Sequence, residues 1–296
     1  MPDDRVGLYA LEIGFEPATE DPGRIFRSMS GMISAFQRFD AHLAWSIAAE
    51  IEPVLVLETV EAGSLRTWLA TVLRTIDDSS LKKLDWRGVV GTYLVRAKRR
   101  VVGFLDGKSE LRSRADIEVL EGDLLDLAQQ TNVREIPTYS PVPLQALVSD
   151  LSELASALAP LRGDDRVSYR DVETSVLVNH RFSVPPDAIE ELIAHDVIAN
   201  TINMILRVKR PDYLGRSMWE FRHEGRVIPA KILDQPWLDE FQARRVLVRP
   251  GDSLRVQAET RVLYDRYGEV LATQYVIHKV LGVIPAPDWQ QRALPE

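Results

Sequence analysis

The sequence predicts an α+β protein: an N-terminal α/β unit in β-α-β-α order over residues 1–107, an acidic helical connector over 108–184 and a small five-stranded β-barrel over 185–284. Three observations lead there. A run with a period of two, Tyr9 to Phe15, feeds a longer run with a helical period, Ile25 to Leu43. Two helical stretches follow within an acidic middle region, separated by a proline-rich break. The last hundred residues then hold five strand-like segments bounded by turn residues, with one short helix before the fourth.

Tyr9, Leu11, Ile13 and Phe15 alternate with Ala10, Glu12 and Gly14, the signature of a half-buried strand, whose successive side chains point to opposite faces. Pro17 stops it, and Asp21-Pro22 offers an N-cap followed by proline at the first helical position. Ile25, Met29, Met32, Phe36, Phe39 and Leu43 then recur three and four apart, one apolar seam on a long helix. Burying such side chains is worth about 1.5–3 kcal/mol each, so the seam must be covered, either by the sheet or by a second copy of the helix.

Ile51 to Val60 is apolar and β-rich, a second strand. Gly63-Ser64 reads as the opening of a second helix carrying Leu65, Trp68, Leu69, Val72 and Leu73. A further helical stretch from about Arg87 to Leu105 turns Val90, Tyr93, Leu94, Ala97, Val101 and Leu105 inward. It leaves Arg96, Lys98, Arg99 and Arg100 around its other face, and the unit ends near Gly107. The connector comprises helices over residues 110–131 and 142–161, broken at Pro137, Pro141 and Pro143. A strand from Val167 to Val178 leads out of it.

In the barrel, Ile198, Ile202, Met204, Leu206 and Val208 mark a strand with one wet face. Trp219 and Phe221 mark the next, and Glu224-Gly225 a tight turn into Ile228, Ala230 and Ile232. Asp234 caps a short helix with Trp237 and Phe241 one turn apart. Pro250-Gly251 turns into a strand with Leu254, Val256, Ala258, Thr260 and Val262, and a long strand runs from Val270 to Ile284. Closure removes exposed edges. The tail, 285–296, is expected to be disordered.

Pro211-Asp212-Tyr213-Leu214-Gly215, Ser217-Met218-Trp219-Glu220-Phe221, Ile232-Leu233-Asp234, Trp237-Leu238 and Pro250-Gly251-Asp252-Ser253-Leu254 resemble the C-terminal part of an uncharacterised bacterial two-part family. Leu57-Glu58, Glu61-Ala62-Gly63-Ser64-Leu65 and Thr67-Trp68-Leu69 resemble the domain of unknown function that precedes that part. The resemblance implies an unnamed domain followed by a five-stranded barrel, with an association with prokaryotic antiviral defence.

Composition narrows the functional classes. The chain has 296 residues and no cysteine, which removes disulfides, thiolate nucleophiles and thiolate metal sites and fits a reducing compartment such as the cytoplasm. No segment is apolar enough to span a membrane. The net charge of −8 argues against a protein that coats polyanions wholesale. The charge is uneven, however: residues 111–184 hold seven Lys/Arg against twelve Asp/Glu, and residues 197–284 fourteen against ten.

The five histidines lack metal-ligand spacing, and no nucleophile elbow, P-loop or dinucleotide fingerprint occurs. No cofactor is expected, and the chain leans away from catalysis. Glu12 and Glu58, on strands that would be neighbours, form the weakest candidate, a divalent-metal pair, with charges on a solvated or edge face as the plainer reading. Ser64 and Arg66 at a strand-to-helix junction read as an anion site or as ordinary N-capping. Arg207, Lys209, Arg222 and His223, beside Trp219 and Phe221, read as a nucleic-acid surface or as a solvated rim around core aromatics. The function expected is an interaction or assembly subunit with a protein partner or a second copy of itself; the alternative is nucleic-acid or nucleotide binding through the barrel.

Overall fold

The computed structural model describes residues 5–16, 21–61, 65–75, 86–213, 218–265 and 268–286. The chain divides into two compact units, Met1–Ile193 and Ala194–Glu296.

The first unit contains β1 (Arg5–Gly14), α1 (Gly23–Ile47), β2 (Ile51–Glu61), β3 (Leu65–Thr75), α2 (Trp86–Leu105), α3 (Arg114–Gln130), α4 (Leu144–Leu158), β4 (Arg166–Asp171), β5 (Ser175–Val178) and α5 (Ile189–Ile193). Its strands form one sheet in the order β2-β3-β1-β4-β5, antiparallel throughout. Tyr9, Leu11 and Ile13 are buried with every member of the α1 seam, so the seam faces the interior of its own unit. Tyr9 stacks on Tyr169 at 5.3 Å and meets Phe36 edge-on at 6.2 Å.

Leu65–Thr75, expected as a helix, is strand β3, hydrogen-bonded to β1 on one side and β2 on the other. The order is therefore β-α-β-β-α. Thr67, Leu69, Thr71 and Leu73 are all buried, a period of two. A short Leu-, Thr- and Val-rich run satisfies both periods, and two waiting strand edges decide between them. Ser64 lies outside the described residues.

The charged face expected on α2 is also different. Lys98 is fully buried and bonded to Asp40 of α1, while Arg96 and Arg99 pair with Glu173, and Arg99 also with Asp171. A helix set between the sheet and α3 has little outer face to offer.

Residues 108–184, read from the sequence as a connector, supply α3, α4, β4 and β5 to this same unit. Leu120, Leu124, Leu151, Leu154 and Leu158 join the core that holds Phe36. Some of its acids are structural partners: Asp165 takes buried Arg24 through two hydrogen bonds, at 2.5 and 3.1 Å. At Gly31 a Cβ would lie 2.8 Å from the Cβ of Ala157, so glycine sets how closely α1 approaches α4.

The second unit holds β6 (Asp196–Arg210), β7 (Trp219–His223), β8 (Arg226–Ile232), α6 (Gln235–Gln242), β9 (Ser253–Tyr264) and β10 (Val270–Ile284), the strands closing a barrel in the order β10-β8-β7-β6-β9. Leu206, Val208, Trp219, Phe221, Ala230, Leu254, Val256, Ala258 and Ile277 fill it. The Glu224-Gly225 turn has positive φ at both residues, 48° and 80°, as a two-residue hairpin requires. Asp234 accepts the N–H of Trp237 at 3.4 Å and starts α6, whose Trp237 and Phe241 pack on Trp219 with ring centroids at 5.8 and 4.9 Å.

Closure is partial along β6. It pairs with β9 from Asp196 to Arg207 but with β7 only from Arg207 to Arg210, so β6, β9 and β10 run on past the barrel as a three-stranded ribbon. Of the expected tail, residues 287–296 lie outside the described residues. Among the described residues no helix is long and apolar enough to cross a membrane.

Candidate functional site

Strand alternation sorts the barrel residues. Leu206, Val208, Phe221, Leu254 and Val256 point inward, so Arg207, Arg222 and Arg255 point out, and all three are exposed. Arg207 lies directly opposite Arg222 across β6 and β7, and opposite Ser253 across β6 and β9. Arg255 is two residues beyond Ser253 on the same face, and exposed Lys279 of β10 pairs with Gln257, two residues further. The four cations therefore cross four adjacent strands: Arg222 and Arg207 are directly opposed, and Arg207–Arg255 and Arg255–Lys279 are diagonal neighbours, at a spacing of roughly 7–8 Å.

Like charges placed opposite one another on a sheet repel, and nearby acids normally neutralise them. Here they do not. Among the described residues Arg222, Arg255 and Lys279 have no carboxylate partner, and Arg207 donates to the Gly251 carbonyl at 3.2 Å. The bordering acids are engaged elsewhere. Glu220 takes Lys209 at 2.9 Å and Arg210 at 2.6 Å, Glu259 takes His278 and Arg261, and Asp252 accepts the backbone N–H groups of Arg249 and Ala286.

Of the residues singled out from the sequence, Arg207 and Arg222 are brought together. Lys209 is neutralised by Glu220, whose carboxyl is held below its ordinary range, first by the hydrogen bond from Lys209. His223 falls on the inward-facing alternation of β7, 4.0 Å from Glu224. Trp219 and Phe221 are buried and offer no stacking surface. Arg66 is clamped by Glu12, at 3.0 and 2.8 Å, and by Glu61 at 2.6 Å, and it stands within a strand, not at a helix start. Glu61 also accepts the indole N–H of Trp68 at 2.6 Å, the first cause of its lowered pKa. Glu12 and Glu58 are not neighbours, because β3 lies between their strands. Among the described residues no three His, Asp or Glu side chains gather as a metal site.

Arg255 and Lys279 escaped the sequence reading, although alternation in β9 already turned Arg255 outward. A second cluster also escaped it. His42 Nδ1 lies 2.7 Å from Asp150, which also accepts Arg38 Nε at 3.0 Å, beside an open groove of about 670 Å³ lined by Trp45, Pro141, Pro143 and Gln145. Burial raises the pKa of Asp150, and His42 and then Arg38 work against that rise. The i,i+4 placement of Arg38 and His42 was legible, but their acid, 108 residues beyond His42, was not.

No family model, curated protein or solved structure matches the chain.

Proposed function

We propose that the protein is a binding subunit whose barrel holds the phosphate backbone of single-stranded nucleic acid on its outer wall. The observation that carries this reading is the diagonal of Arg222, Arg207, Arg255 and Lys279, whose mutual repulsion is left without neighbouring acids to relieve it. A bound polyanion supplies the missing negative charge. The acidic total of −8 does not oppose this locally, since charges beyond about 8–10 Å are largely screened at physiological salt. With Trp219 and Phe221 buried, contact runs through phosphates and not through base stacking, so binding tolerates any sequence.

The test is fluorescence anisotropy of a labelled oligothymidylate with the full chain across a salt series. Binding at low salt should weaken as salt rises. Changing Arg207, Arg222, Arg255 and Lys279 to Ala should flatten the slope of log K against log salt by roughly 0.7 for each phosphate no longer neutralised. Lys209→Ala, which removes a neutralised charge, should change it little. Absence of binding at low salt, or a slope untouched by the fourfold variant, refutes the proposal.

A further inference from the structure

The ribbon that runs on past the barrel leaves the edge of β6 open over most of that strand's length. From Asp196 to Ile205, β6 is paired with β9 on one side; on the other side, among the described residues, it has no strand. Residues 196–203 are exposed throughout, Ile198 at 61% and Ile202 at 45%. Open edges of this kind attract other strands, and proteins usually blunt them with charge or proline. The open edge of the first unit's sheet, β2, is protected in that way, carrying Glu52, Pro53, Glu58 and Glu61. From Val197 to Leu206 (VIANTINMIL) β6 carries neither charge nor proline.

We infer that this edge is the interface for a second copy of the chain, joined by antiparallel β6–β6 pairing about a two-fold axis through Thr201. An edge without charge has no sign by which to select an acidic or basic partner, and it meets its own copy with no like charges opposed. The symmetric register then sets Val197 against Ile205, Ile198 against Met204 and Asn200 against Ile202, with Thr201 against itself. Exposed Val197 and Ile205, at 44% and 55%, cover one another. The result is one continuous six-stranded sheet in the order β10-β9-β6-β6-β9-β10. Because the two-fold stands perpendicular to that sheet, both copies turn Arg207 and Arg255 to the same side.

The mass of the full chain in solution tests this, with no oligonucleotide present, so that its failure leaves the polyanion reading standing. A dimer is expected at micromolar concentration. Thr201→Lys, which opposes two ammonium groups at the axis, should give a folded monomer whose thermal midpoint no longer rises with protein concentration. The chain has no cysteine, so Thr201→Cys supplies a single thiol. Mild oxidation should join two copies through it in high yield, whereas Ile198→Cys, which faces Met204, should crosslink poorly. A monomeric wild-type chain, a Thr201→Lys variant that stays dimeric, or equal crosslinking at 198 and 201 overturns the inference. The Cys pair reads the register even if the Lys variant fails to fold.

Discussion

Replacing Lys98 by Met should cost the first unit about 3–5 kcal/mol, the range for breaking a buried ion pair by removing one partner. Lys98 and Asp40 have side chains only 0% and 2% exposed. Asp40 would keep one donor, Thr71 Oγ1 at 3.2 Å, against a burial that already raises its pKa and that Lys98 opposes. The orphaned carboxylate escapes by taking a proton, and protonating an Asp of ordinary pKa near 3.9 at pH 7 costs about 4 kcal/mol, at about 1.4 kcal/mol per pH unit. That route fixes the sign of the pH dependence. A carboxyl whose folded pKa is raised binds its proton more tightly in the folded state, so the variant gains stability as pH falls from 7 towards 4.

The assay is urea unfolding at pH 7, 6 and 5, followed by circular dichroism. Lys98→Met should recover about 1.4 kcal/mol per pH unit relative to wild type. The double change Asp40→Asn with Lys98→Met, which leaves no charge, should return close to wild-type stability. A Lys98→Met loss below about 1 kcal/mol, or one that does not shrink on acidification, would refute the argument.

Trp219→Ala removes the largest fully buried side chain among the described residues, against which Phe221, Trp237 and Phe241 all pack, and should destabilise the barrel by about 3–5 kcal/mol in urea unfolding. Gly31→Ala gains about 1 kcal/mol of helix propensity. It also drives a Cβ to within 2.8 Å of the Ala157 Cβ, an overpacking worth about 1–3 kcal/mol, so it should destabilise the chain, and Ala157→Gly, which removes that contact, should recover part of the loss. Hydrogen bonds from Arg96 and Arg99 hold the Glu173 carboxyl below its ordinary range. Its contribution should be complete above about pH 4.3 and vanish as pH falls through the lower folded value, so the urea midpoints of wild type and Glu173→Gln should converge in acid.

Much of the second unit was readable in one dimension because its signals are local. Alternation sorted Leu206 from Arg207, the Glu-Gly pair made the hairpin turn, and Asp234 capped α6. The same alternation assigned Trp219 and Phe221 to the core. The first unit was harder at two places. The run from Leu65 to Thr75 carries both periods, and Lys98, set among arginines, looks from composition like one more exposed charge.

By itself, then, the sequence determined which side of each barrel strand is apolar, where the chain turns, and that the α1 seam must be buried. These depend on backbone geometry within a few residues. Only the tertiary structure decided which strand lies beside which, and the candidate site follows from that. Arg207 and Arg222 face each other, Arg255 and Lys279 extend their line, and Asp40 meets Lys98 across 58 residues because of pairings between distant segments. Alternation fixes the face a side chain occupies but says nothing of the neighbour on the next strand, and it is the neighbour that leaves a charge balanced or bare.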